Sequence, residues 1–302
     1  MNLLPKNINI NFIKYSKFAA IISSIFIFSG IVSFFTLGLK TSIDFTGGTT
    51  VNVTINDTNY NIGILREKLQ LDIDSSVLVV ESSSDSNEQK DLLLTLKFLD
   101  NEDDLHIVFK ELYNNNYSIN LIESIGPKIG DELTQSARNA MLSAMLLIGL
   151  YITIRFDSYY ALGSIVALLH DLAITFSILL FLQYEFSISI IAALLTIIGY
   201  SLNDTIVIYD RIRENLKLNP DRDRKEIINQ SLNTTLNRTI ITSLTTLLVA
   251  LVLFILGGRV LQPFSMALII GVVTGTYSSL FVATPIMLKL EEKFHLDDIE
   301  EE

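Results

Sequence analysis

Cysteine is absent from the 302 residues, which excludes disulfides and thiolate metal sites. Tryptophan is absent too, and three histidines (His106, His170, His295) are too few to suggest an imidazole-built metal centre. No G-x-x-x-x-G-K-[ST], G-x-S-x-G, H-E-x-x-H or EF-hand pattern occurs. Nucleotide-driven work, triad hydrolysis and metalloprotease chemistry therefore lack the residues they need, and neither catalysis nor a bound cofactor is expected. Positive charge is scarce: 22 Lys and Arg stand against 33 Asp and Glu, a net charge of −11. Nearly all of that excess sits in residues 40–136, with 7 basic and 17 acidic side chains. An acidic domain of this kind disfavours nucleic acid or anionic lipid as its partner.

Apolar sequence is what the chain has in quantity. It is 49% hydrophobic with mean hydropathy +0.43, above what a soluble domain of this size carries. Six runs come near the ~20 residues that cross a bilayer: Phe18–Leu39, Ala137–Ile154, Tyr160–Leu182, Phe186–Tyr209, Thr239–Leu256 and Phe264–Leu288. The first is too long for a secretory signal and no A-x-A site follows it, so it reads as an uncleaved span after a polar 1–17 segment. The 155–159 and 210–238 connections hold eight Lys and Arg, whereas 183–185 and 257–263 hold only Arg259. The positive-inside rule then places both termini (1–17 and 289–302) in the cytoplasm and residues 40–136 outside. Within 210–238, Ile227, Ile228, Leu232 and Leu236 line one side of an expected short amphipathic helix, resting on the cytoplasmic membrane face. Tyr151, Tyr159, Tyr160, Tyr184 and Tyr209 are candidate interfacial anchors.

The 40–136 insert alternates as a strand over Thr49–Ile55, has helical spacing over Ile62–Leu71, and is strand-like at Ser76–Val80 and Leu92–Phe98. Leu105–Tyr113 is helical and Tyr117–Ser124 alternates again, with a polar loop at 82–87. That β-α-β-β-α-β order suggests a ferredoxin-like α+β sandwich. The fold class expected is thus a polytopic α-helical membrane protein of six transmembrane helices with an inserted extracytoplasmic α+β domain.

An acid inside a span costs roughly 2.5–3.5 kcal/mol on insertion scales, so it is expected to face protein or water. Asp204, beside Asn203, is such an acid, and Tyr200 and Ser201 share its helical face. It reads either as a protonatable carboxyl or as polar glue between helices. Arg238, at the mouth of the next span with Thr242 one turn on, is either its counter-charge or a snorkelling interfacial cation. Asp171 lies on a stripe with Gly163, Ala167 and Thr175, whereas its neighbour His170 points about 100° away, and the two are not expected to share a site. Gly271, Gly275 and Ser279 form a second stripe that lets helices approach closely. Gly47 and Gly48 lead into the insert, and Gly126, Pro127 and Gly130 lead out. These joints are tight turns, or hinges on which the insert swings.

Several motifs together resemble one family. IDFTGGT (43–49), IGPKIGDEL (125–133), IRFDSYYALGSIVALLHD (154–171), IGYSLNDTIVIYDRIREN (198–215) and NRTIITS (237–243) are similar to the motifs of SecF. SecF is the smaller half of the SecDF accessory complex of bacterial protein secretion, related to the RND exporters. The resemblance implies a multi-pass protein of the bacterial cytoplasmic membrane, paired with SecD and associated with SecYEG, YajC and emerging preprotein. It implies that a proton or sodium gradient drives the work. The family's protonatable acid falls on Asp204 and its arginine on Arg238, and its His-Asp pair falls on His170 and Asp171. Two other readings stay open: a stand-alone RND-type exporter of small molecules or lipid, and a passive subunit that steadies the channel.

Overall fold

The computed structural model describes residues 9–57, 60–73, 76–82, 90–99, 103–114 and 116–300. Contacts divide the chain into two compact units, Thr41–Arg138 and Met1–Lys40 with Asn139–Glu302.

The smaller unit opens with a one-turn helix α2 (Ile43–Thr46), numbered after the membrane helix α1 (Phe12–Leu37) that precedes it. Strand β1 (Gly48–Ile55), helix α3 (Ile62–Asp72), strands β2 (Leu78–Ser82) and β3 (Lys90–Leu96), helix α4 (Asp103–Tyr113) and strand β4 (Tyr117–Ile125) follow. All six expected elements are present with ends shifted by two residues or fewer. The strands form one antiparallel sheet in the order β2-β3-β1-β4. Alternation decides its faces: Val51, Val53 and Ile55 point inward, and Val51 and Val53 pair across β3 with Leu94 and Leu92, also buried. Leu65 and Leu69 of α3 and Leu105, Val108 and Phe109 of α4 close the core. Asn61 caps α3 by accepting from the Gly63 and Ile64 amides, and Asp103 and Asp104 stand in the first turn of α4, where negative charge is favoured. Of the loop expected at 82–87, all but Ser82 lies outside the described residues.

Burial pushes the Tyr113 hydroxyl up from an ordinary 10.0 to about 12, aided by the negative charge of Asp57. A raised pKa leaves the contribution intact below the unfolded value and removes it as pH climbs from about 10 toward about 12. Tyr113→Phe is therefore expected to retain more of the unit's stability over that window than the wild type, as read by denaturant melts. An equal loss in both proteins would count against the burial argument.

Among the described residues, six helices are long and apolar enough to cross a membrane. They are α1, α5 (Pro127–Arg155), α6 (Ser158–Phe181), α7 (Ile188–Leu218), α8 (Arg224–Leu256) and a composite sixth, α9 (Gly258–Ser278) continued by α10 (Thr284–Glu300). A single π turn, Ser279–Ala283, joins the last two. Interior hydroxyls bond back to carbonyls of their own helix, as Ser164 does to Tyr160 and Ser177 to Ala173, so few polar groups are left bare. Small residues set the crossings. A side chain on Gly271 would overlap Ile197, one on Gly30 would overlap Ser177, and a Cβ on Gly275 would stand 3.0 Å from that of Ser201. In α5 only Gly130 and Ile152 are buried, and most of its apolar side chains face outward.

Two expectations are corrected here. The separate amphipathic helix of 210–238 does not exist: α7 runs on to Leu218, α8 begins at Arg224, and five residues join them. Ile227, Ile228, Leu232 and Leu236 are all buried inside the protein, the last three in one core with Ile208, Ile212, Leu280 and Met287, and are not laid on a membrane face. The same amphipathic pattern serves a bundle core as well as a lipid surface. Tyr160 and Tyr209 are likewise not interfacial anchors: both are fully buried, ring to ring at 4.9 Å.

The start of α1 is clasped by α8. Asn233 and Asn229 accept from the amides of Ile10 and Phe12 through Oδ1, and both donate Nδ2 to the Ile10 carbonyl. Replacing both asparagines with alanine is expected to cost about 2 kcal/mol and to speed proteolysis within the first 17 residues. Cleavage at the wild-type rate would mean that the clasp holds nothing.

Candidate functional site

Two of the four membrane-embedded ionisable candidates, Asp204 and Asp171, are buried, and a third, His170, is partly buried. Asp204 is 3% exposed on α7 and Asp171 is 1% exposed on α6, next to the His170 side chain at 9%. They fall into two centres.

The first is Asp204 with α8. Thr242 Oγ1 lies 3.3 Å from Asp204 Oδ1, but also 3.1 Å from the Arg238 carbonyl and 2.9 Å from the Thr239 carbonyl. One hydroxyl proton cannot serve three acceptors, so the carboxylate has at best a shared donor. Asp204 Oδ2 has no hydrogen-bond partner among the described residues. Nor do Tyr200 Oη, one turn earlier on α7, and Thr239 Oγ1, one turn from Thr242 on α8. The Arg238 side chain is exposed and acts on Asp204 as a charge, without an ion pair within 4.0 Å. Asn203 points to the exposed side of α7 and makes no hydrogen bond among the described residues, as expected of a residue about 100° from its neighbour. The centre can attract a cation, and Asp204 Oδ2, Tyr200 Oη and Thr239 Oγ1 are its unsatisfied atoms among the described residues.

The second centre is Asp171. Its Oδ2 accepts from Ser201 Oγ at 2.6 Å and from Ser278 Oγ at 2.8 Å. Its Oδ1 lies 3.1 Å from His170 Nδ1. The separation expected of His170 and Asp171 is thus corrected: adjacent Cβ directions diverge, yet the imidazole folds back along the helix and meets the carboxylate. Ser201, read on the Asp204 face, serves Asp171 instead. Ser23 of α1 and Tyr277 and Ser278 of α9 were not singled out from sequence. Their signal was a hydroxyl inside an apolar run, shared with many residues that only bond their own helix.

The joints of the smaller unit form one packed structure. Gly47 takes φ +71°, open to glycine, and a Cβ there would stand 2.9 Å from Pro127 Cα. A Cβ on Gly130 would come within 3.1 Å of the Gly47 amide and the Phe45 carbonyl, and Gly48 pairs with Ile125. Pro127 is the first residue of α5, where its missing N–H costs nothing. Gly126 alone faces open space. Among the described residues no group of three or more His, Cys, Asp or Glu could hold a metal.

Fold and site together define a multi-pass helical membrane protein with an inserted α+β unit and two buried carboxylate centres. Residues 105–293 match the family model "Protein export membrane protein SecD/SecF, C-terminal". The chain belongs to the SecF family of protein translocase subunits. It is 40% identical over 300 residues to the protein translocase subunit SecF of Magnetococcus marinus, covering 96% of this chain and 95% of that one. It is 40% identical over 302 residues to the SecF of Rhodothermus marinus, covering 95% of each. Among solved structures it resembles SecDF, a translocon-associated membrane protein from Thermus thermophilus, with a TM-score of 0.82 and 36% identity. That match covers 95% of this chain and 39% of the longer SecDF chain.

Proposed function

We propose that this chain is the SecF half of a SecDF complex that couples a proton or sodium gradient to the late stage of preprotein translocation across the cytoplasmic membrane. The observation that carries the reading is Asp204, a buried carboxylate whose Oδ2 has no hydrogen-bond donor among the described residues and whose Oδ1 has only a shared one. A cation arriving there satisfies what the protein leaves unsatisfied, and Arg238 sets how strongly it is held. One charge crossing 100 mV supplies about 2.3 kcal/mol, so a gradient can replace nucleotide as the source of work. The protein acts as a transducer, not an enzyme, and binds no cofactor besides the ion it passes.

SecD is the partner that completes it. Exposed Asn203 and Arg238, together with the nearly unburied α5, support a second membrane subunit against this one. Both termini lie in the cytoplasm of an inner-membrane protein, and the four-stranded unit is a ferredoxin-like sandwich on the outer side, near SecYEG, YajC and the emerging preprotein. The test is preprotein export into membrane vesicles containing this chain and SecD. An imposed gradient is expected to stimulate export, and an ionophore to remove the stimulation. Stimulation that survives collapse of the gradient would end the proposal.

A further inference from the structure

A chain of hydrogen bonds leaves the Asp171 centre and crosses to α1. His170 Nε2 lies 2.8 Å from Ser23 Oγ, Ser23 Oγ lies 3.1 Å from Tyr277 Oη, and Tyr277 Oη donates to the Ala19 carbonyl at 2.6 Å. The proton positions follow from what each atom can do. Asp171 as a carboxylate only accepts, so His170 carries a proton on Nδ1. Tyr277 spends its proton on Ala19. Ser23 then has two acceptors in reach, His170 Nε2 and Tyr277 Oη, and one proton to give.

The geometry points to His170 as a second proton-binding site, separate from Asp204, that takes up a proton at Nε2 by a switch in the direction of the Ser23 hydroxyl. In the neutral imidazole, Ser23 donates to Nε2. A proton delivered to Ser23 Oγ displaces the one already there, which passes to Nε2. Nε2–H then donates back to Ser23 Oγ, whose remaining proton turns to Tyr277 Oη. One proton and one positive charge are gained and Nδ1 keeps its proton on Asp171; the neutral state leaves the Ser23–Tyr277 contact without a proton, whereas the charged state makes all three bonds of the chain. The gain converts a buried carboxylate into a neutral ion pair.

The groups facing the imidazole allow this. From α1 there is Ser23; from α9, Tyr277, whose ring lies 6.0 Å from the imidazole, and Ser278 beyond Asp171. From α7 there is Ser201, and α10 meets α6 two turns earlier, at Gly163, through Met287. Asp171 is the one charged group among these. Among the described residues no hydrogen bond joins Asp204 to His170 or Asp171. The inference deepens the transducer reading, and on that reading the proton held here couples α1 to α6.

The test uses the full-length chain labelled with 15N-histidine and combined with unlabelled SecD partner, in a His106→Gln/His295→Gln background so that His170 is the only labelled imidazole. As pH is raised across a series, Nε2 is expected to pass from protonated to bare while Nδ1 stays protonated. Ser23→Ala removes the acceptor of the charged form and is expected to weaken proton binding about tenfold. Tyr277→Phe reports the same link if Ser23→Ala does not fold, weakening binding severalfold because the turned hydroxyl loses its acceptor. An Nε2 that never changes protonation overturns the proposal, and so does a titration that neither variant moves. Asp204→Asn is expected to leave the titration in place, and a shift there as large as in Ser23→Ala would overturn the separateness of the two centres. The measurement needs neither gradient nor preprotein, so failure of the Asp204 reading appears in export and failure of this one in the spectrum.

Discussion

Asp204→Asn is expected to remove the gradient-stimulated part of preprotein export while yield and assembly with SecD stay at wild-type levels. The amide matches the carboxylate in size, and its oxygen can still accept from Thr242. Its nitrogen would take the place of Oδ2, which has no partner to lose. What disappears is the negative charge and the ability to hold a cation. If one charge per cycle is uncoupled at 100 mV, about 2.3 kcal/mol of drive is lost, a rate effect of up to roughly fiftyfold. The assay compares export into vesicles with and without an imposed gradient, with subunit co-purification as the control for folding. Unchanged stimulation in the variant would make the chain a passive scaffold. A loss of both assembly and stimulation would assign Asp204 a structural role.

The largest structural effect is expected at Gly163. A Cβ there would stand 2.8 Å from Tyr209 Oη, 2.9 Å from the Ala283 carbonyl oxygen and 3.1 Å from Met287 Cβ. None of these can yield easily. Tyr209 is fully buried and donates to that same Ala283 carbonyl at 3.1 Å, and Ala283 closes the π turn. Gly163→Val must therefore part α6 from the sixth span or break the Tyr209 bond and strand a buried hydroxyl. Overpacking costs about 1–3 kcal/mol and the orphaned hydroxyl about 1–3 kcal/mol more. The variant is expected to melt many degrees lower in detergent, or not to accumulate at all. Gly126→Ala, which meets open space, is the matched control and is expected to be nearly neutral. A Gly163→Val protein that melts with the wild type would show that the bundle is looser than its packing implies.

Both predictions concern residues that the sequence brings into view without saying what they touch. Asp204 stands out because an acid in an apolar run is costly, and Gly163 because it repeats at helical spacing with Ala167, Asp171 and Thr175, all now buried. Neither signal names a partner. Thr242 could be placed one turn from Arg238, but not as a hydroxyl divided among three acceptors. Ser201 was placed on the wrong acid, because a helical face is a direction about one axis and its use depends on which neighbour crosses there. His170 and Asp171 were kept apart by a rule about Cβ directions that does not bind a ring able to fold along the helix.

By itself the sequence determined the elements: six apolar spans set by the thickness of hydrocarbon, and an alternating β-α-β-β-α-β insert whose inward residues follow from a period of two. These are local consequences of hydrogen bonding and burial, written in consecutive residues. Tertiary structure alone decided which polar groups meet. The Asp171 centre gathers side chains from α1, α6, α7 and α9, distant in the chain, and their register depends on where Gly30, Gly271 and Gly275 let the helices close. Close packing is settled between surfaces, and a one-dimensional pattern does not contain the surface opposite.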